Sequence, residues 1–493
     1  MLSTNALGSN MDVLQNIMAA QRAMGLEQFG TLGGSPGPGQ IGVQSMETDL
    51  YLLTYGNREF KLLNDLDKVS VYNWIHEFNM LSDYGSNVPV GVGAGALPPV
   101  NNSYFKRGYA NVRFLGDLRM IPQQMLEIES AVGDFVGEQT RDSLSTLTGK
   151  TSHMLYWGNS SIDEYNFDGI YTQLKASDYA TSNILDNRNT PLNPTNVEEA
   201  SLIVRGNWGD TALLKMYAPP AVMSSFNIAY QQYFMTIPSM WNNKSGNPFS
   251  GWDSQFGDIK MRDDRFSERT VYMNGGGKPL TATPQNVPQG APSTPTVAPT
   301  LTVNASDANS LFNTNTPSGG STIGGTTQLA YCFSYLNTTG EGVASPIATT
   351  TTVVANGDSV TITIPTNVTP VPTGIRIYRQ AVASGATASY TGMQFMTDIN
   401  VTAGSATTVY TDENEDIPGT YTVFFVNTAK NAVHLGKMGQ VRKYEFAPIN
   451  MSYWFGTFFY GMLIMPAPQW HVVIKNVQGQ LLPSSFKPAA YAS

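Results

Sequence analysis

The chain has 493 residues, a formal net charge of −9, 41% hydrophobic residues and only 13% Asp, Glu, Lys and Arg. That much apolar and aromatic material excludes an intrinsically disordered chain, and the acidic balance excludes a phosphate-gripping face as the main function. A single cysteine, Cys332, leaves neither a disulfide framework nor a cysteine-based metal site.

The charged fraction is about half the usual value of roughly 25%, and 21 Met, 24 Tyr and 22 Phe accompany it. Such a surface suits either burial against partners, since interface cores are poor in charge and rich in aromatics and Met, or a neutral extracellular-type β protein.

The opening "MLSTNALGSNMDV" has no basic and no apolar region of the secretory kind. Asn10 can cap a helix over 10–28, whose apolar stripe is Val13, Leu14, Ile17, Met18 and Met24. "GTLGGSPGPGQIG" follows and holds no regular structure, so the two read as an extended arm.

In "VYNWIHEFNM", Tyr72, Trp74, His76, Phe78 and Met80 alternate as in a strand. A long Gly/Pro loop leads to "YANVRFLGDL", with Ala110, Val112 and Phe114 on one side, so the whole predicts a protruding hairpin. Pro122 is expected to open a long helix reaching Asn159, because proline is welcome at the first helical position. Its narrow stripe is Val132, Phe135, Val136, Leu144, Leu147 and Leu155. "TNVEEASLIVRGN" predicts a short helix with Asn196 and Glu199 as a capping box. "TALLKMYAPPAVMSSFNIAYQQYF" reads as strand, Pro219–Pro220, helix.

At Asn274 a Pro/Gly/Thr linker begins, and no Lys or Arg occurs between Lys278 and Arg376. Short β runs then recur at the spacing of an all-β sandwich, ending near Asp416. Tyr331, Phe333, Tyr335, Val360, Ile362, Ile364, Ile375 and Ile377 supply its core, with Arg379 at the rim. "YTVFFVN" resumes the earlier style, so the β module is inserted into a host domain, with few contacts expected between them.

"YGMLIMPAPQWHVVIKNV" is too short before Pro466 to span a membrane, which takes roughly 18 or more apolar residues. Trp470, Val472 and Ile474 alternate with His471, Val473 and Lys475, so it reads as strand, Pro-x-Pro turn, strand.

No catalytic, cofactor or metal site emerges. Gly33, Gly34, Ser35, Pro36 and Gly37 match G-x-S-x-G without the strand and helix a nucleophile elbow needs. Gly91, Gly93 and Ala96 match a dinucleotide pattern, but Leu97, Pro98 and Pro99 replace the helix. Asp412, Asn414 and Asp416 start like a calcium loop, but Ile417 and Val423 stand where Gly and Glu are required, so a solvated acidic turn is expected. His76, His153, His434 and His471 are scattered. Asp263 and Asp264 lie among basic residues, so local ion pairing is expected.

The order of parts is specific. "LYWGNSSIDEYNFDGIYTQL", "ALLKMYAPPAVMSSFNIAYQQY" and "YGMLIMPAPQWHVVIKNV" resemble, in turn, the segment after the spine helix, the strand with its peripheral helix, and the closing segment of tailed-phage major capsid proteins of the Hong Kong 97-type fold. The resemblance covers about 5–275 and 417–490. It implies an α+β fold with N-terminal arm, extended hairpin loop, long spine helix, and peripheral and axial domains. It further implies that the closing strands turn their exposed sides to neighbouring subunits. "YCFSYLNTTGEGVASP" and "GIRIYRQ" resemble a fibronectin type III or immunoglobulin-like module.

The implied organisation is an arm over 1–45 and a capsid domain over 46–275, with extended loop 75–118 and spine helix 122–157. A linker over 276–300, an inserted sandwich over 301–416 and a second capsid part over 417–493 complete it. The implied function is a non-enzymatic shell subunit of the virion capsid, forming hexamers and pentamers around DNA, without cofactor or membrane. Portal, scaffolding and decoration or cement proteins are the expected partners, and host-surface glycans a ligand of the outward-projecting insert. Lys106 is near the hairpin, but no cross-linking residue can be assigned. The alternatives are an adhesin or receptor-binding protein, a hydrolase with an accessory β domain, and an encapsulin-like compartment.

Overall fold

The computed structural model describes residues 60–85, 88, 90–97, 99–127, 135–234, 251–271, 291–292, 294–312, 327–401, 404–449 and 451–479. The expected arm with its 10–28 helix, the Gly33–Gly37 motif and most of the linker lie outside these residues.

Strand Leu214–Ala218 sits in a six-stranded sheet with Ile184–Pro191, Val472–Gln478, Tyr421–Asn427, Gly257–Asp263 and Gly251–Ser254. Its central strands are near-continuous apolar runs because both faces are covered. Val423, Phe425, Val472 and Ile474 face one core with helices Pro194–Gly206 and Pro220–Phe234. Phe424, Val426 and Val473 face a second core under the long helix, with Leu147, Leu155 and Tyr156. The closing strand predicted from "WHVVIKNV" is therefore central. Val472 to Val477 are all buried, which corrects the expectation that it keeps an exposed side.

A five-stranded sheet holds Lys68–Ser70, His434–Lys437, Ser452–Ile464, Arg442–Ile449 and Arg113–Pro122. Pro122 ends a strand and pairs with Ser452, so it does not open the helix. The helical residues after it are Gln123–Glu127 and then Phe135–Trp157. At 1.5 Å per residue the latter is about 35 Å long. Its buried side differs from the expected stripe. Leu147 and Leu155 are buried, whereas Leu144 is exposed, and Ser143, Gly149, Thr151 and Ser152 fill the rest. Small polar residues let the helix approach closely, and Ser143 Oγ meets Thr457 Oγ1 at 2.6 Å.

The helix Pro194–Gly206 starts earlier than predicted. Asn193 is its cap, Pro194 takes the first helical position, and Asn193 and Asn196 close the capping box at 2.9 and 3.1 Å.

Two further sheets share one core. Thr327–Asn337 lies with Gly340–Ala344, Gly374–Ala383, Gln394–Asn400 and Ala348–Thr349; Ser359–Pro365 lies between Thr300–Asn304 and Thr407–Asp412. Tyr331, Phe333, Tyr335, Val360, Ile362, Ile364, Ile375 and Ile377 pack between them, all of them residues the alternation had placed inside. Only Ala348–Thr349 of the run "SPIATTTTVV" is a strand.

Candidate functional site

Among the described residues no cluster of His, Cys, Asp and Glu can hold a metal ion, and no helix is long and apolar enough to cross a membrane. The four histidines form no cluster, although His76 lies near enough to His434 to disfavour its charged form. Buried His471 accepts from Asn427 N at 3.3 Å, and burial depresses its pKa to about 4. Gly91, Gly93 and Ala96 lie in an exposed loop with no helix after them. The features that call for explanation are surfaces.

The first is the hairpin. Ile75–Asp83 and Tyr104–Asn111 pair only with each other, and Val112 N donates to Trp74 O at their base. His76, Phe78 and Met80 point to one side as predicted, whereas Tyr72 and Trp74 precede the strand, and a Cβ on Gly108 would lie 2.6 Å from the Phe78 ring. Tyr72, Trp74, Tyr84, Tyr104, Phe105 and Tyr109 are exposed. Lys106, opposite Met80, is exposed too. A two-stranded ribbon is marginal by itself in water, so one so rich in exposed aromatics fits contact with another surface.

The second surface is the face of the five-stranded sheet turned away from the long helix. Leu115, Arg119 and Ile121 face the helix, so Phe114, Leu118 and Met120 face outward beside Trp454 and Phe458. Tyr444 and Phe446 extend this face, both in ring contact with Phe458. Gly116 and Gly456 make room for the Phe458 ring, because a Cβ on either would lie 2.7 Å from it. Phe458 thus lies over Gly116 on the neighbouring strand and Gly456 on its own, and the aromatic fills the space that the glycines leave on an apolar face.

The two-sheet body is joined to the host by more than a linker. Arg269 Nη2 lies 3.6 Å from Asp398, and its guanidinium stacks between Trp157 and Phe395, at 5.1 and 4.6 Å from their centroids. Asp398 is shared with Arg376, which also reaches Glu341 at 2.6 Å. Below, Arg188 donates to the backbone oxygens of Asn414 and Leu311, at 2.8 and 2.5 Å. Asn476 ties Glu415 O to Asp186, and Lys475 meets Glu415 at 2.6 Å. The expectation of few contacts is thus wrong. Ion pairs that span tens to hundreds of residues leave no local pattern.

Three other expectations fail for the same reason. The 412–416 turn is only partly solvated: Glu415 is exposed, but Asp412 is buried and takes Arg379 at 2.6 Å and Tyr331 at 2.7 Å, while Asn414 takes Arg379 at 2.7 Å. Arg379 lies in the interior and not at the rim. Asp263 and Asp264 do not pair locally. Asp263 bonds Lys61, and buried Asp264 accepts from Tyr156 at 2.8 Å and Phe266 N at 2.9 Å. Burial pushes the Asp264 carboxyl up to about 6.

Gly158 and Gly169 of "LYWGNSSIDEYNFDGIYTQL", which open the motif pairs Gly158–Asn159 and Gly169–Ile170, acquire a cause. Gly169 N donates to Gly158 O at 2.9 Å, and a Cβ on Gly158 would sit 2.1 Å from Phe167 O. Backbone meets backbone where the chain leaves the long helix, so only glycine fits there.

No protein-family model matches the chain. Over 457 residues it is 21% identical to proteins named major capsid protein from Staphylococcus phages S25-3 and K, covering 89% of this chain and 90% of each relative. Solved structures similar to it include the capsid of cyanophage P-SCSP1u (7% identity, TM-score 0.43, 91% of this chain and 97% of that one). The holo-SrpI encapsulin complex of Synechococcus elongatus PCC 7942 (9%, 0.42, 88% and 93%) and the capsid of Myoviridae phage XM1 (7%, 0.41, 90% and 100%) are also similar. The chain is a homologue of proteins named major capsid protein. Its curated relatives are the major capsid proteins of staphylococcal phages.

Proposed function

We propose that the chain is the major capsid protein of a tailed phage, the subunit repeated as hexamers and pentamers in an icosahedral head around DNA. The observation that carries this reading is the match to major capsid proteins along nearly the whole of both chains. The aromatic hairpin and the apolar sheet face support it, because both are surfaces that a lone subunit leaves in water. The hairpin of one subunit lies over a neighbour, and the order of hairpin, long helix and closing strands supports a Hong Kong 97-type arrangement.

The two-sheet body is an immunoglobulin-like insert of about 301–416, bounded by the linker at 276–300, and it projects outward. The distribution of charge supports that direction. The only Lys or Arg from 279 to 416 are Arg376 and Arg379, both in ion pairs with little exposure. A surface without free cations has no grip on packaged DNA. Portal, scaffolding and decoration proteins are its partners in the virion, and host-surface glycans are a ligand class for the insert.

Electron microscopy of the chain co-expressed with its phage's scaffolding protein tests the reading: closed shells are expected. Hydrogen exchange over 85–104 should slow in shells relative to free subunits. A chain that stays monomeric in light scattering under those conditions overturns the proposal.

A further inference from the structure

Resting on that reading, we infer that Trp208 is a preorganised anchor by which one copy of this chain docks on the next. Trp208 follows the helix Pro194–Gly206 and is 90% exposed. Its φ is +64°, the left-handed conformation that glycine normally supplies after a helix. A free subunit gains nothing from an indole held in water on a disfavoured backbone, and such outliers concentrate at functional surfaces.

The loop that carries it is pinned. Trp208 N donates to Arg205 O at 3.0 Å, and Gly209 N donates to Val204 O at 2.9 Å. From below, Trp470 Nε1 donates to Asn207 O and Asn427 Nδ2 to Asp210 O, both at 2.8 Å. Gly209 is packed so closely that a Cβ there would lie 2.8 Å from Val204 O and 3.0 Å from the Trp470 ring. With the backbone fixed in this way, only the two side-chain torsions of the indole remain to be frozen on binding, which is what makes an effective anchor.

Area and charge select the occupant. One indole buries about 150–250 Å², far below the roughly 800 Å² per partner of a stable binary complex. Such a contact suits an assembly in which many copies add their contacts. Arg205 and Asp210, both exposed, bracket Trp208 with opposite charges. A head-to-tail contact between identical subunits can therefore match the cation of one loop to the acid of the next.

Hydroxyl-radical footprinting of subunits and shells, read by mass spectrometry at Trp208, tests the assignment. Oxidation is expected to fall sharply on assembly, because a hot-spot residue is desolvated in its pocket. Trp208→Ala and Trp208→Gly should both raise the concentration needed for assembly by about tenfold or more. The glycine variant relieves the backbone, so its free subunit should melt no lower than wild type. Shells with Trp208 oxidised as fast as in subunits, or Trp208→Ala shells forming at the wild-type concentration, overturn this inference alone. Protection that arises only after a second phage protein is added to bare shells overturns the assignment to a copy of this chain. Failure of the wild-type chain to form shells overturns the capsid reading and this inference together.

Discussion

The guanidinium of Arg269 lies 4.6 Å from the centroid of the Phe395 ring and 3.6 Å from the carboxylate of Asp398. It comes from the host and both partners come from the two-sheet body. Trp157, the last residue of the long helix, closes the other side of the guanidinium and donates to Ser267 O at 2.9 Å. The two-sheet body is thereby seated on the end of the helix.

Arg269→Ala should weaken that seat. Loss of a partly buried cation between two rings and a carboxylate is worth about 1–2 kcal/mol, with Arg376 left to neutralise Asp398. Hydrogen exchange should rise over 394–400 and spare 359–365 in the sheet opposite. Uniform exchange across both would mean that Arg269 does not seat the two-sheet body.

Asp264→Asn tests the buried carboxyl. The folded pKa is raised from 3.8 to about 6 by burial. The folded state therefore holds the proton more tightly, and this group's contribution to stability is full below pH about 4 and is lost as pH rises through about 6. At pH 8 the ionised group costs on the order of 2–3 kcal/mol. The asparagine variant should match wild type near pH 4 and exceed it by about 2–3 kcal/mol at pH 8 in urea melts of the subunit. A difference that does not change with pH would rule this out.

His471 works in the opposite direction. Its folded pKa is depressed from 6.5 to about 4, so its contribution is full above pH 6.5 and is lost as pH falls toward 4. The size is about 3 kcal/mol. His471→Gln should flatten the acid limb of the stability curve between pH 6.5 and 4. An unchanged limb would assign that loss to other groups.

Gly158→Ala should be severe. The added methyl would sit 2.1 Å from Phe167 O and 2.8 Å from Met154 O, both of them backbone atoms. Overpacking that only backbone movement can relieve costs about 3 kcal/mol or more. Gly206→Ala is the control, since nothing lies within 4 Å of a Cβ there. Equal melting temperatures for the two variants would refute the account of the motif.

Alternation placed the strands. Ser359–Pro365 is a strand whose neighbouring side chains enter opposite sides, and the interior residues named from the pattern form the core of the two-sheet body. Caps were less legible. Asn196 and Glu199 have the right spacing for a box, but Asn193 with Pro194 wins because proline fits the first helical position. Pro122 fits that position equally well in the sequence and is instead placed in a strand by pairing with Ser452.

What the sequence determined by itself are the periods, the turn residues and the order of the parts, because each depends on neighbours within a few positions. Only the tertiary structure decided which charges are buried and which apolar residues are left outside. Asp264 meets Tyr156, Arg269 meets Asp398 and Arg188 meets Asn414 across 108, 129 and 226 positions. Trp208 reads in the sequence as one more aromatic residue. Its exposure follows from a left-handed backbone held by Trp470, a residue 262 positions away, through hydrogen bonds that no local pattern encodes.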